Sequence, residues 1–337
     1  MLNFDPDHYL SVENGAVGLA RPLRDAIRAL LEGGAENVFF AGSGGVALLG
    51  MPAARLLQSR SSFPTFVEMG AELVLEGNVN LTSNSIVIAP SVSGTTKEAV
   101  AALDYARARG AKVITLTGTS GTPLAENADI NFQNDCADDT SSENFLLQTM
   151  LIALAIMDVR GEIADYDRIV AELETLPALL VDVKRQFEPR AAELADEMRD
   201  AQHHLVCSAG SSWYEAWYYA MCILEEMQWI WTRPIHASDF FHGTLELVEP
   251  GTSMILLKGE DANRALVERV EQFVPTITDG LRVIDSRDFA LPGISADVRA
   301  LISPIVFAAA LERLSAHLEV VRDHPLTTRR YYRRIAY

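Results

Sequence analysis

The chain has 337 residues, 49% of them hydrophobic and 22% charged, which excludes a disordered or collagen-like chain and leaves room for two domains of about 150 residues each. Its 28 basic and 46 acidic side chains give a formal charge of −18, so nucleic acid and anionic membrane are disfavoured partners and a small molecule is the expected one. Three cysteines, Cys136, Cys207 and Cys222, lack CxxC or Cys/His spacing and point to reduced intracellular thiols, with no disulfide framework and no metal site.

The first residues, MLNFDPDHYL, carry two acids and a proline where an export signal has basic residues and then an apolar run, so a cytoplasmic protein is expected. Residues 1–30 read as a helical lead-in, with Leu19, Leu23, Ile27, Leu30 and Leu31 in helical spacing. Three β-branched runs follow: Val38–Gly44, Ser85–Ala89 and Val113–Leu116. Asp165–Leu176 and Arg190–Arg199 read as two helices, and Pro177 and Pro189 place a linker between them. The apolar runs Met150–Met157 and Leu301–Leu311 fall far short of the roughly 20 residues of a bilayer span and read as buried helices.

The same series recurs in the second half. Leu205–Ser211 repeats Val38–Gly44, with Gly210 standing 168 residues after Gly42. The same offset lays Ser253–Leu257 on Ser85–Ala89, and an offset of 170 lays Val283–Ser286 on Val113–Leu116 and Pro234 on Pro64. Three strands in the same order imply a duplication. The expected fold is α/β, two tandem doubly wound domains, each a mainly parallel sheet flanked by helices, at 31–180 and 181–320 with a tail at 321–337.

Two turns of small residues follow strands in the first half: Gly42-Ser43-Gly44-Gly45 and Ser91-Val92-Ser93-Gly94-Thr95-Thr96. Such turns aim amides and hydroxyls at a point beside a helix N-terminus, where an anion is favoured. Neither is a Walker loop or a full GxGxxG fingerprint. Ser91, Ser93 and Thr96 suit a phosphate cradle or, equally, the cap of the next helix. At the repeat offset Ser91 and Ser93 become Gly259 and Asp261, which would repel a phosphate, so one anionic site is expected, in the first half.

The second half has its own block of aromatic and ionisable residues from Trp213 to Pro250. Glu225 and Glu226 end an apolar helix containing Met221, Cys222 and Leu224, and His242 follows in Asp239-Phe-Phe-His242-Gly243. A carboxylate and an imidazole among aromatics suit proton transfer at neutral pH; a solvated helix face and a structural histidine are the plain alternative. The aromatic run Trp213–Tyr219 suits helix packing or a dimer face.

The ordered set Gly42-Ser43, Ser91-x-Ser93-Gly94-x-Thr96, Glu226 and Asp239-Phe-x-His242-Gly243 resembles the double sugar-isomerase (SIS) domain family over nearly the whole chain. The run Asp239–Gly251 and the tail Asp323-His324 with Arg329-Arg330-Tyr331-Tyr332 look most like its fructosamine-6-phosphate deglycase branch. The resemblance implies phosphate ligands at Gly42, Ser43, Ser91, Ser93, Gly94 and Thr96, a catalytic pair Glu226 and His242, and a substrate-side Glu143 that as a plain helix-start carboxylate would only favour the dipole. It also implies a tail closing over the site, which makes His324 and Arg322, Arg329, Arg330, Arg333 and Arg334 candidates for gripping an anion or a neighbouring chain. Departures are Thr95 and Asp239 where the family carries an acid and Glu, and Ile223 where the related synthases carry Lys.

The implied reaction is hydrolysis of a 6-phosphofructosyl-amine to glucose 6-phosphate and the free amine, with no metal or other cofactor, in a homodimer or larger homo-oligomer. The rivals are an aldose–ketose isomerase or deaminase of amino-sugar phosphates, and a non-catalytic sugar-phosphate-binding regulator.

Overall fold

A computed structural model describes residues 1–136, 141–332, 334 and 335; Arg333 of the tail lies outside the described residues. The chain divides into one unit at Asp5–Pro177 and another at Ala178–Tyr337, which also takes in Met1–Phe4.

The first unit opens with α1 (Pro6–Gly18) and α2 (Ala20–Glu32). Asp5 caps α1, accepting from the Asp7 and His8 amides at 3.0 and 3.1 Å, with Pro6 in the first turn where its missing N–H costs nothing. Strands and helices then alternate: β1 (Asn37–Gly42), α3 (Gly45–Arg60), β2 (Thr65–Met69), α4 (Gly70–Glu76), β3 (Ser85–Ser91), α5 (Lys97–Ala108), β4 (Lys112–Thr117), α6 (Pro123–Asn127), β5 (Ile130–Gln133) and α7 (Ser141–Val159). The five strands are parallel in the order β2-β1-β3-β4-β5. Strand β3 is buried along its whole length, the pattern of a parallel strand covered on both faces. One core cluster joins Phe39, Val87 and Val113 of the sheet to Leu103 and Ala106 of α5.

Helix α8 (Tyr166–Met198) leads to the second unit: β6 (His203–Ser208), α9 (Ser212–Tyr218), β7 (Trp231–His236), β8 (Met254–Lys258), α10 (Arg264–Phe273), β9 (Leu281–Asp285) and α11 (Ala296–Val321). A π-helical turn, Tyr219–Glu225, continues α9. Its strands are parallel in the order β7-β6-β8-β9. Strands β6, β7, β8 and β9 therefore repeat the arrangement of β1, β2, β3 and β4, the tandem α/β architecture expected from the repeat.

Two expectations are corrected. Pro177 and Pro189 do not separate two helices, because α8 runs unbroken through both and the division between units falls within it. Each proline costs about 3 kcal/mol in a helix interior. Against that, Ile169, Leu173, Leu176, Leu180, Val183, Phe187, Leu194 and Met198 form an unbroken buried row at helical spacing, each contributing about 1.5–3 kcal/mol. The apolar runs at 150–157 and 301–311 do lie in buried helices, α7 and α11, but those helices outrun them: the windows Ser142–Val159 and Ala296–Val321 are by length and composition long enough to cross a membrane. Of those windows 83% and 89% is buried, the pattern of core helices.

The second unit holds a buried ionic cluster. Lys184 and Arg313 are 1% and 0% exposed. Lys184 Nζ and Arg313 Nε donate to Glu312 Oε2 at 3.0 and 2.6 Å, and Arg313 NH1 donates to the Leu2 carbonyl at 2.7 Å. Burial pushes the Glu312 carboxyl up, but the Lys184 ammonium and Arg313 guanidinium overcome this and hold it below its ordinary 4.5. Glu312→Ala removes the carboxylate that the two buried cations share, leaving Glu188 3.5 Å from Arg313, and is expected to cost about 3 kcal/mol at neutral pH. Because the folded value is the depressed one, the pH-dependent part of that stabilisation is complete above the unfolded value and fades as pH falls through the folded one. Denaturation midpoints of wild type and variant at neutral and acidic pH check this: the gap narrows on acidification, and an equal gap at both contradicts it.

Candidate functional site

In a doubly wound sheet, ligands bind beyond the carboxyl ends of the strands where the winding reverses. In the first unit that place lies between the neighbours β1 and β3, and the two turns singled out in the sequence follow these strands. Ser43, half-buried, stands between β1 and α3. Ser91 closes β3 at 3% exposure, its Oγ accepting from the Gly94 amide at 3.0 Å. Ser93 Oγ accepts from the Thr95 amide at 3.3 Å and from Thr95 Oγ1 at 3.1 Å.

Thr96 is exposed at the N-cap position of α5, and its side chain makes no capping bond. The three hydroxyls therefore do not cap α5 as the plain alternative required: two shape the turn and the third stands beside an uncapped helix start. That arrangement offers hydroxyls and a helix N-terminus to an anion.

Gly94 is indispensable to this turn. Its φ is +61°, and a Cβ there would stand 2.1 Å from Thr122 Oγ1. Thr122 in turn caps α6, accepting from the Ala125 amide at 3.4 Å. A third small-residue turn after a strand, Gly118-Thr119-Ser120-Gly121-Thr122, was not among the sequence candidates and adjoins the second turn: Thr119 Oγ1 donates to the Val92 carbonyl at 3.3 Å.

The corresponding turns of the second unit are filled from within. Asp261 Oδ2 accepts from the Ser211 amide at 3.2 Å and from Ser211 Oγ at 3.3 Å, while Oδ1 accepts from the Asn263 amide at 2.8 Å. Gly210, at φ +62°, makes room: a Cβ there would stand 2.2 Å from that carboxylate. Glu260 is held by Arg299 through bonds of 2.7 and 2.9 Å.

Also in the second unit, the π-helical turn separates the adjacent glutamates. The Glu226 amide bonds the Met221 carbonyl at 3.1 Å, and the Gln228 amide bonds Ile223 at 3.0 Å, both five residues back. Glu225 Oε1 is engaged by Thr232, through its hydroxyl at 2.6 Å and its amide at 3.3 Å. Glu226, with 39% of its side chain exposed, takes Arg329 Nε at 3.0 Å on Oε1. His242 ends the 3₁₀ turn Phe240–His242, exposed, its amide bonding the Asp239 carbonyl at 2.9 Å.

His324 packs edge-on against Trp229 with ring centroids 4.5 Å apart, and its carbonyl accepts from Gln228 Nε2 at 2.8 Å. Arg330 lies over the same indole at 4.0 Å. Trp213 and Trp217, both half-buried, stack at 5.9 Å.

The candidates thus fall in two sets: Gly42, Ser43, Ser91, Ser93, Gly94, Thr96 and Glu143 in the first unit, and Glu226, His242 and His324 in the second. Glu143 is no solvated helix start. It is fully buried, and its Oε1 accepts from Tyr9 Oη of α1 at 3.1 Å. Among the described residues no three His, Cys, Asp or Glu side chains converge to hold a metal ion.

An α/β chain with two such sheets and a hydroxyl-rich turn at the point of reversal is the architecture of phosphosugar isomerases, and the comparisons agree. Residues 34–158 match the SIS domain. A solved structure from Salmonella typhimurium LT2 described as a phosphosugar isomerase is 30% identical, with TM-score 0.87 over 94% of this chain and 99% of its own. The chain belongs to the SIS-domain family and is an enzyme of it. Among curated relatives, fructosamine deglycase FrlB of Bacillus subtilis (strain 168) is 29% identical over 90% of this chain and 93% of its own. The fructoselysine 6-phosphate deglycase of Escherichia coli K12 is 27% identical over 88% and 85%.

Gly94→Ala is expected to cost about 2 kcal/mol or more, from a left-handed backbone and the collision with Thr122. Thr122→Gly relieves the collision but not the backbone, whereas an alanine there would keep its Cβ 2.6 Å away. A double-mutant cycle on thermal midpoints should therefore give a favourable coupling between the two changes, and additivity would show that the two side chains do not meet.

Proposed function

We propose that the protein is a deglycase of 6-phosphofructosyl-amines, releasing glucose 6-phosphate and the free amine. The observation that carries a phosphorylated ligand is the contrast between the units: the first leaves α5 uncapped beside Ser91, Ser93 and Thr96, while the second fills its equivalent turn with Asp261. Likeness to deglycases over about nine-tenths of the chain supports the narrower choice of reaction.

The open-chain substrate carries a C2 ketone beside a C1 methylene bearing the amine. Ser43, Ser91, Ser93, Gly94 and Thr96 hold the phosphate, which fixes the substrate's far end and removes much of the entropic barrier. His242 assists ring opening and proton transfer at the C2 oxygen. Glu226 takes a proton from C1, giving an enolamine, and returns it to C2. C1 then becomes an imine carbon and C2 a secondary alcohol. Water adds to C1, and protonation of the nitrogen expels the amine as C1 becomes the aldehyde of glucose 6-phosphate. One water is consumed and no electrons are exchanged with a cofactor. Glu226 is given the proton shuttle on the resemblance to the family; its carboxylate is half-buried with one oxygen on Arg329, whereas Glu225 is exposed and tied to Thr232.

Incubation with the 6-phosphofructosyl adducts of lysine, glutamine and aspartate, and with glucosamine 6-phosphate, tests this by following glucose 6-phosphate, fructose 6-phosphate and ammonia. Glucose 6-phosphate from at least one adduct is expected; turnover of glucosamine 6-phosphate alone would identify a deaminase instead. Glu226→Gln and His242→Ala should each lower kcat by about 10²–10⁴-fold with the fold intact, and wild-type rates in either would remove that residue from the chemistry.

A further inference from the structure

Glu226 is gripped by the tail. Arg329 Nε donates to Glu226 Oε1 at 3.0 Å, while its NH1 donates to the Leu326 and Thr328 carbonyls at 2.6 and 3.0 Å. The guanidinium is thus fixed by its own loop before it meets the carboxylate. Lysine, a single point charge, cannot make both sets of bonds at once. Among the described residues Glu226 Oε2 and Arg329 NH2 have no protein partner, so one oxygen of the carboxylate is held and the other is open.

The tail loop is fastened on both sides of this pair. The His324 amide bonds the Glu319 carbonyl at 3.0 Å, and the Leu326 amide bonds Glu319 Oε1 at 3.2 Å, anchoring the loop to the end of α11. Gln228 Nε2 reaches the His324 carbonyl at 2.8 Å, and Trp229 is flanked by the His324 ring and the Arg330 guanidinium. Trp229 itself has φ +56°, a left-handed backbone that a bulky side chain avoids unless its surroundings impose it. Residues 324–330 therefore clasp the corner from Glu226 to Trp229, and the strained residue lies under the clasp.

We infer that Arg329 is the positioning residue of Glu226: it fixes the carboxylate by one oxygen, leaving the other to exchange protons with the substrate. The inference rests on the proton-shuttle role proposed for Glu226. It assigns the tail's charge to holding a catalytic group, where the resemblance offered only a grip on an anion or a neighbouring chain. A carboxylate at the end of a π-helical turn, 39% exposed, otherwise has several rotamers to sample. Holding one of them is worth rate without contact to the substrate.

Two measurements on the full chain separate this inference from the deglycase reading. Hydrogen exchange of the tail needs no substrate: Arg329→Ala and Glu226→Ala should each strip protection from residues 322–330, and the double variant should lose no more than either alone. Unchanged protection in the single variants, or additive losses, would overturn the clasp. With the adduct turned over by wild type, Arg329→Ala should lower kcat by about 10²-fold and leave KM nearly unaltered, and Arg329→Lys should recover only part. Ethylguanidinium added to Arg329→Ala should restore kcat, and it should not restore Glu226→Ala. A rise in KM with kcat intact would make Arg329 a substrate ligand instead and overturn the positioning role. If wild type turns over none of the adducts, the deglycase reading fails, and the exchange result alone decides whether Arg329 holds Glu226.

Discussion

In both units the chain leaves a central strand toward one neighbour and later returns on its other side: β1 lies between β2 and β3, and β6 between β7 and β8. Right-handed crossovers then put successive helices on opposite faces of the sheet, so the turns after the two adjacent strands diverge and leave a crevice at their carboxyl ends. The chemistry available there depends on what lines the crevice. Small residues are required where backbone must pass close, as at Gly94 against Thr122 and Gly210 against Asp261. Hydroxyls or carboxylates then decide whether the crevice is open to an anion or already contains one.

That decision separates the two copies of the fold. In the first, Ser91 and Ser93 shape the turn by accepting bonds, which does not use their own O–H groups, and the start of α5 has no side-chain cap. In the second, Asp261 supplies an internal carboxylate to the same kind of turn, satisfying the Ser211 amide and hydroxyl that an external anion would otherwise meet. The second unit carries its ionisable candidates elsewhere, on the π-helical turn after α9 and the 3₁₀ turn after β7. The hydroxyl-rich turn and the ionisable candidates thus lie in different copies of one architecture.

The sequence was most informative where a physical rule ties residue type to place. Apolar runs ending in Gly and Ser located β1, β3 and β6, because a parallel strand covered on both faces must be apolar throughout and its turn must be small. The replacement of Ser93 by Asp261 was equally legible as an exchange of hydroxyl for carboxylate. Three features were not. Pro177 and Pro189 signal a break locally, yet a long-range row of buried side chains overrides them in α8. The π-helical turn shifts the backbone hydrogen bonds by one residue, which no periodicity in seven residues reveals, so spacing alone does not assign Glu225 to Thr232 and Glu226 to Arg329. Arg329 and Glu226 are 103 residues apart, and nothing in either local pattern announces the pair.

The charge distribution makes sense of how an anion could be held by a chain of net charge −18. Among the described residues, three of the tail arginines are engaged. Arg329 is committed to Glu226, Arg330 lies over Trp229, and Arg322 donates to the Arg199 carbonyl at 2.7 Å. At ordinary ionic strength long-range attraction is screened within about 8 Å. What remains in the first unit is short-range: hydroxyls and helix-start amides, which act through hydrogen-bond geometry and are little affected by distant carboxylates. A site of that kind favours a ligand whose oxygens fit its donors over one that is merely negative, and so it can select a phosphate monoester against the chain's own acidic surface.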